Sequence, residues 1–275
     1  MRRLLPLLWF LITVKLVLIF SLNLAGLHEC LDWFQVLRSY TLLPAPGYPI
    51  ILPAWTLSFE LFFCTLWSVL LCFPQRIRLA TMGVWAVAIL AYGRIYYTPS
   101  LWLPGFVMHP YFLDFIAGAA LAEVAPYMAI SLRGSFMMLV GGALLLVAMA
   151  VEPELKAYPQ VVRRIVWGGA AFVVVAGLFW WEYKNIHFVV PSGFRLLARS
   201  SYSIYLTHSL VLYVVMQGLA GHLTNTLLTQ LLLAAVASAT LGIGILLHRW
   251  VEVPLQRVLH VFKSFRKGEP GLPQS

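Results

Sequence analysis

The chain has 275 residues, 61% of them hydrophobic and 11% charged, with a formal net charge of +9. A soluble domain carries about 25% charged residues, so the composition excludes an ordinary soluble enzyme and a nucleic-acid-binding protein. The positive-inside rule accounts for the basic excess without a polyanionic partner. Cys30, Cys64 and Cys72 are odd in number and supply neither a disulfide framework nor metal-ligand spacing.

Eight apolar stretches read as helices, over residues 4–24, 53–73, 79–97, 106–126, 133–151, 162–181, 201–221 and 227–250. Proline, glycine or charged residues separate them. The fold class expected is all-α, a polytopic transmembrane helix bundle of about eight spans. It covers residues 1–260 as one domain, and the polar tail 261–275 is expected to be disordered. The first stretch has the basic start of a signal peptide, but Lys15 interrupts it and its apolar run is too long for one. The segment from Ala25 to Leu52 holds His28, Glu29, Asp32, Trp33, Arg38 and Tyr40. It reads either as a lid or as an amphipathic interfacial helix. With the N-terminus cytoplasmic, 13 basic residues fall inside and 5 outside, which places both termini in the cytoplasm.

The second stretch, PAWTLSFELFFCTLWSVLLCF, is about 21 residues long, enough to cross a ~30 Å hydrocarbon core. Glu60 interrupts it, preceded by Trp55, Thr56 and Ser58. A carboxylate near bilayer depth costs roughly 2.5–3.5 kcal/mol, so it faces a protein interior or a wet cavity. Glu60 is therefore either a polar group in a substrate cavity or the partner of an arginine on another helix. Arg94 ends the third stretch beside Tyr92, Tyr96 and Tyr97, suiting an interfacial aromatic belt or contact with an anionic group. Asp114 shares a helix face with Gly118 and Ala122, either as part of a close-packing face or as a substrate contact. Ser201, Tyr205 and His208 fall on one stripe of the seventh stretch. Glu252, two residues before Pro254, reads as a helix stop paired with Arg249 or Arg257. No GxSxG, HExxH, P-loop or Cys/His metal set occurs, so spacing alone does not separate a membrane enzyme from a transporter.

Five stretches in order resemble the acyltransferase 3 family, the integral-membrane O-acyltransferases. PAWTLSFELFF looks like its W-[ST]-L-x-x-E-x-x-[FY] signature, FLDFIAGAALAE its F-hxxG-small block, and LLARSSYSIYLTHSLVL its S-Y-S-hY-L-x-H block. RRLLPLLWF resembles the start of the family's third span and WVEVP its closing h-E-x-P. Family members begin with two further spans, the first carrying an Arg and a catalytic His, so the resemblance implies a chain that starts at span three. His28 does not match that base. The resemblance implies transfer of an acyl group, often acetyl, from acyl-CoA to a hydroxyl of a carbohydrate or glycolipid acceptor. Acyl-CoA is then a co-substrate, with no tightly bound cofactor, metal or nucleic-acid partner. The chain would lie in the bacterial inner membrane. Glu60 and His208 become the catalytic candidates, and Trp55, Ser58, Tyr205, Arg94 and Asp114 the substrate-binding ones. Arg3 and Arg199 would contact the CoA phosphates. A transporter or flippase-like protein, or an inactive family remnant, are the alternatives.

Overall fold

The computed structural model describes residues 4–24, 32–44, 49–96, 103–125, 134–184, 190–219 and 226–258. Among them all regular structure is helical: α1 (Leu4–Leu24), α2 (Trp33–Thr41), α3 (Trp55–Leu70), α4 (Gln75–Ile95), α5 (Leu103–Val107), α6 (Phe112–Val124), α7 (Gly134–Ala150), α8 (Glu152–Leu155), α9 (Gln160–Lys184), α10 (Ser192–Leu219) and α11 (Thr226–Leu247). Arg3, His28, Glu29 and the tail 261–275 lie outside the described residues. Four segments are long and apolar enough to cross a membrane: Leu52–Leu70, Leu103–Val124, Gln160–Glu182 and Thr229–Val258. Leu5–Ser21 and Gly134–Ala150 are shorter apolar helices.

Local chemistry sets the helix ends. The Asp32 carboxylate accepts the Phe34 N–H at 3.3 Å and caps α2. Within the 25–52 segment, residues 33–41 are helical. This short helix leaves Trp33, Phe34 and Leu37 exposed. A 3-10 turn over Leu52–Ala54, with Pro53 at its start, leads into α3. The stretch expected as one helix over 106–126 is broken instead into α5 and α6. Pro110 has no N–H to donate and biases His109 away from helical backbone. The break therefore falls at these two residues, with the Phe112 N–H donating to the His109 carbonyl at 3.1 Å. α10 begins at Ser192, nine residues before the expected 201, because Pro191 initiates it ahead of the apolar run. α11 runs into a π-helical turn over His248–Glu252.

The chain divides into two compact units, one of residues 1–43, 48–58 and 190–275, the other of 44–47 and 59–189. The first contains α1, α2, α10 and α11, and the boundary falls within α3, after Ser58. Leu7, Leu8, Leu11 and Ile12 of α1 and Leu206 of α10 are buried. α11 approaches α10 so closely that a Cβ at Gly244 would lie 2.7 Å from the Ile204 Cα.

In the second unit α7 packs along α9 through glycines. A Cβ at Gly134 would sit 2.5 Å from the Gly177 carbonyl oxygen, and one at Gly177 would sit 2.8 Å from the Gly134 carbonyl oxygen. Small residues at such a seam let two backbones meet where lipid supplies no hydrophobic drive. Phe59, Phe106 and Phe112, all fully buried, interlock with Trp85 and Phe62 in an aromatic cluster between α3, α4, α5 and α6. Gly177→Leu is expected to destabilise the protein by about 1–3 kcal/mol through overpacking. Thermal unfolding of the detergent-solubilised chain measures it, and Gly142→Leu, where a Cβ meets nothing within 4 Å, is the neutral control.

Candidate functional site

Polar side chains inside the first unit converge on α10. A cavity of about 370 Å³ is lined by Lys15, Gln35, Ile50, His208, Ser209 and Tyr213, among others. Lys15 donates to the Ile50 carbonyl at 2.8 Å and lies 4.6 Å over the Tyr213 ring, so the ammonium is both hydrogen-bonded and set against an aromatic face. His208 Nδ1 bonds the Tyr205 carbonyl oxygen at 2.5 Å. A carbonyl only accepts, so Nδ1 is the donor in this contact. His208 thus enters the cavity wall with Nδ1 committed to the backbone, and Nε2 is the nitrogen that this bond leaves free.

Tyr205, expected on the same stripe, serves as a fastening. Its hydroxyl meets Thr56 Oγ1 at 2.7 Å and donates to the Pro53 carbonyl at 3.1 Å, while Thr56 Oγ1 donates to that carbonyl at 2.9 Å. α10 is thereby tied to the start of α3. Ser201 is exposed and donates to the Ala198 carbonyl at 2.9 Å, apart from this cavity.

Below them Glu252, only 1% exposed, is bound within the same unit. Its Oε2 accepts from Ser203 Oγ at 2.6 Å and from His248 Nδ1 at 2.8 Å, and Gln256 Nε2 donates to Oε1 at 3.0 Å. The expected ion pair with Arg249 or Arg257 is replaced by this network. His248 and Glu252 are i, i+4 neighbours within the π-helical turn, and the Glu252 carboxylate is buried. Ser203 gives its proton to the carboxylate rather than to His248, so the trio lacks the serine–imidazole link of nucleophilic catalysis.

In the second unit Asp114 of α6 is paired with Arg164 of α9. Gly168 makes room for the carboxylate, since a Cβ there would collide with Asp114 Oδ1. Arg164 stacks 4.2 Å over the Tyr111 ring, and His109 stacks on the same ring at 4.7 Å and 5°. Arg163 pairs with Glu152 at 2.6 Å, and the Trp167 indole donates to the same carboxylate at 2.8 Å. The Trp167 hydrogen bond first, and Arg163 after it, hold the Glu152 carboxyl below the usual glutamate range. Glu123 is bound by both Arg78 nitrogens, Nε and Nη2, at 2.8 Å.

The remaining expected site residues stand as follows. Glu60 is partly buried on α3 and has no hydrogen-bond or ion-pair partner among the described residues. Trp55 and Ser58 lie on the first turn of α3, partly buried. Arg94 is exposed in the last turn of α4, and Arg199 is exposed on α10. His208 and Asp114 belong to different units. Lys15, as a lone cation in an apolar run, carried the signal that marks an intramembrane functional group, yet pattern reading used it only against a signal peptide. Arg164 carried no such signal, because at the start of the expected 162–181 stretch it reads as a flanking cation, and its partner Asp114 lies on another helix.

Among the described residues, regular structure that is all helical and four long apolar segments are compatible with a helical membrane protein. It is 28% identical over 270 residues to the exopolysaccharide production protein ExoZ of Rhizobium meliloti (strain 1021), an alignment that takes in 93% of this chain and 79% of that protein. No family model matches the chain, and no solved structure matches it.

Two outcomes test these sites. Glu252→Ala leaves buried donors from Ser203 and His248 without an acceptor and is expected to cost at least about 2 kcal/mol of stability, read by thermal unfolding, with Glu252→Gln milder. The stability that the lowered Glu152 pKa supplies is complete above the ordinary glutamate range and is lost as pH falls through the native-state value. Trp167→Phe raises that value, so its acid-induced drop in melting temperature is expected at a higher pH than in the parent.

Proposed function

We propose that the chain is an integral-membrane acyltransferase of bacterial exopolysaccharide production, moving an acyl group, acetyl as the simplest, from acyl-CoA to a hydroxyl of a carbohydrate or lipid-linked glycan. The observation that carries the reading is similarity over 93% of the chain to an exopolysaccharide production protein. The W-T-L-x-x-E and S-Y-S-x-Y-L-x-H stretches, which resemble acyltransferase 3 blocks, give the reaction class.

O-acylation needs a base for the hydroxyl proton and a positive charge or donor for the oxyanion. His208 is the candidate base, because its Nδ1–H is committed to a carbonyl and Nε2 is the nitrogen left for proton transfer. Lys15 lines the same cavity and is the candidate cation for the developing oxyanion. In the step proposed, the hydroxyl oxygen bonds to the thioester carbonyl carbon as His208 takes its proton. The tetrahedral intermediate then collapses, the carbon–sulfur bond breaks, and the thiolate leaves as CoA thiol with the proton returned by His208. Glu60, which lies in the other unit and has no hydrogen-bond or ion-pair partner among the described residues, is kept from the W-T-L-x-x-E resemblance as a separate candidate for binding acceptor hydroxyls. Tyr205 acts by holding α10 to the start of α3, which fixes His208 one turn along.

The assay is thiol release from acetyl-CoA by membranes containing the chain, with and without exopolysaccharide acceptor. Release that depends on acceptor is expected. His208→Gln is expected to lower it by about 10²-fold or more, and Glu60→Gln to lower it with unchanged membrane expression. Acceptor movement across the membrane with no thiol released is the result a transporter gives.

A further inference from the structure

The second unit holds two adjoining spaces that the transfer reaction does not use. The smaller, about 110 Å³, is lined by His109, Tyr111, Gln160, Arg163, Arg164 and Trp167. It is below the ~150 Å³ that admits a benzene ring, so it takes one small group rather than a whole sugar. Its wall is rich in donors. Two guanidiniums face it, and His109 Nδ1 accepts from the Tyr111 N–H at 3.4 Å, which leaves the imidazole proton on Nε2. Glu152 and Asp114, the carboxylates that hold these arginines, are not part of that wall. They fix the guanidiniums from outside the cavity, while each arginine keeps Nη1 uncommitted.

The larger space, about 740 Å³, is a groove along α9 whose walls are mostly apolar: Leu113, Ala117, Gly118, Phe172 and Val175 among them. Its polar end is the Asp114–Arg164 pair. Arg164 and Trp167 line both spaces, so the cationic cavity opens onto the head of the apolar groove. Arginines in the first turns of α9 stand at one end of the apolar segment Gln160–Glu182, the depth at which lipid phosphates lie. A free anion would leave the groove empty, and a neutral lipid would leave the arginines unused.

We propose that these two spaces form one binding site for a phosphate carried on a hydrocarbon chain, with the phosphate at Arg163, Arg164, His109 and Gln160 and the chain in the groove beside Gly118. The site does not depend on the acyl-transfer reading. Its phosphate comes either from a bulk phospholipid or from an isoprenoid carrier, and the two are separable by experiment.

The test uses the full chain, purified in neutral detergent and stripped of lipid, with farnesyl phosphate as the probe. Binding is read by thermal shift and tryptophan fluorescence. Farnesyl phosphate is expected to bind at least about tenfold more tightly than farnesol or inorganic phosphate. Arg163→Gln removes a phosphate donor, and Gly118→Leu fills the groove from a position where a Cβ meets no atom within 4 Å. Each is expected to weaken binding about tenfold, with the unliganded melting temperature confirming that the variant is folded. Competition by phosphatidylglycerol at similar affinity supports the site and assigns it to bulk lipid. Farnesyl phosphate binding that phosphatidylglycerol does not displace supports it and assigns it to an isoprenoid carrier. Farnesol binding as tightly as farnesyl phosphate, no binding of farnesyl phosphate, or parent-like affinity in either folded variant overturns the proposal.

Discussion

An ionised side chain on an apolar helix needs a partner, because hydrocarbon offers it neither water nor counter-charge. That constraint accounts for most of the specific geometry in both units. Asp114 meets Arg164, Lys15 meets a backbone carbonyl and an aromatic face, and Glu252 collects three side-chain donors. In each case the pairing decides which faces of two helices come together. Gly168 is small because the Asp114 carboxylate needs its space. The His248–Glu252 pair falls within the π-helical turn that ends α11. Glu60 stands partly buried on α3 with no hydrogen-bond or ion-pair partner among the described residues.

The same pairs shape the cavities. Where a cation is held by a carbonyl or a carboxylate at its back, it still presents charge to an open space in front. Lys15 does this beside His208, and Arg163 and Arg164 do it beside His109. The first arrangement sets an imidazole and a fixed ammonium on one cavity wall. The second supplies donors at the mouth of an apolar groove. Arginine suits the second because its planar fork can bind a carboxylate and an oxyanion with different nitrogens.

Long apolar runs made the helices readable, and proline and glycine marked most of their ends. α1 falls on the expected 4–24, and α7 lies within one residue of expectation at each end. The expected 106–126 helix failed because Pro110 was set against a strong apolar run and given too little weight. α10 was cut short because SGFRLLARSS is too polar to resemble a span, although a helix can begin well before its apolar part. Glu60, Asp114 and His208 were legible as polar residues in apolar stretches. Their partners were not, because Asp114 and Arg164 are 50 residues apart and only the packing of α6 on α9 joins them. Glu252 was assigned a neighbouring arginine because sequence shows only near neighbours. The cavity wall of His109, Arg163 and Arg164 had no signal in any single stretch.

The decisive measurement is a double-mutant cycle on Asp114 and Arg164, using Asp114→Asn, Arg164→Gln and the double variant, with stability read by thermal unfolding in detergent. If intramembrane pairing organises the fold, each single change is strongly destabilising and the double variant loses less than their sum, by about 1 kcal/mol or more of coupling. Additive losses, with no coupling between the two sites, would contradict it.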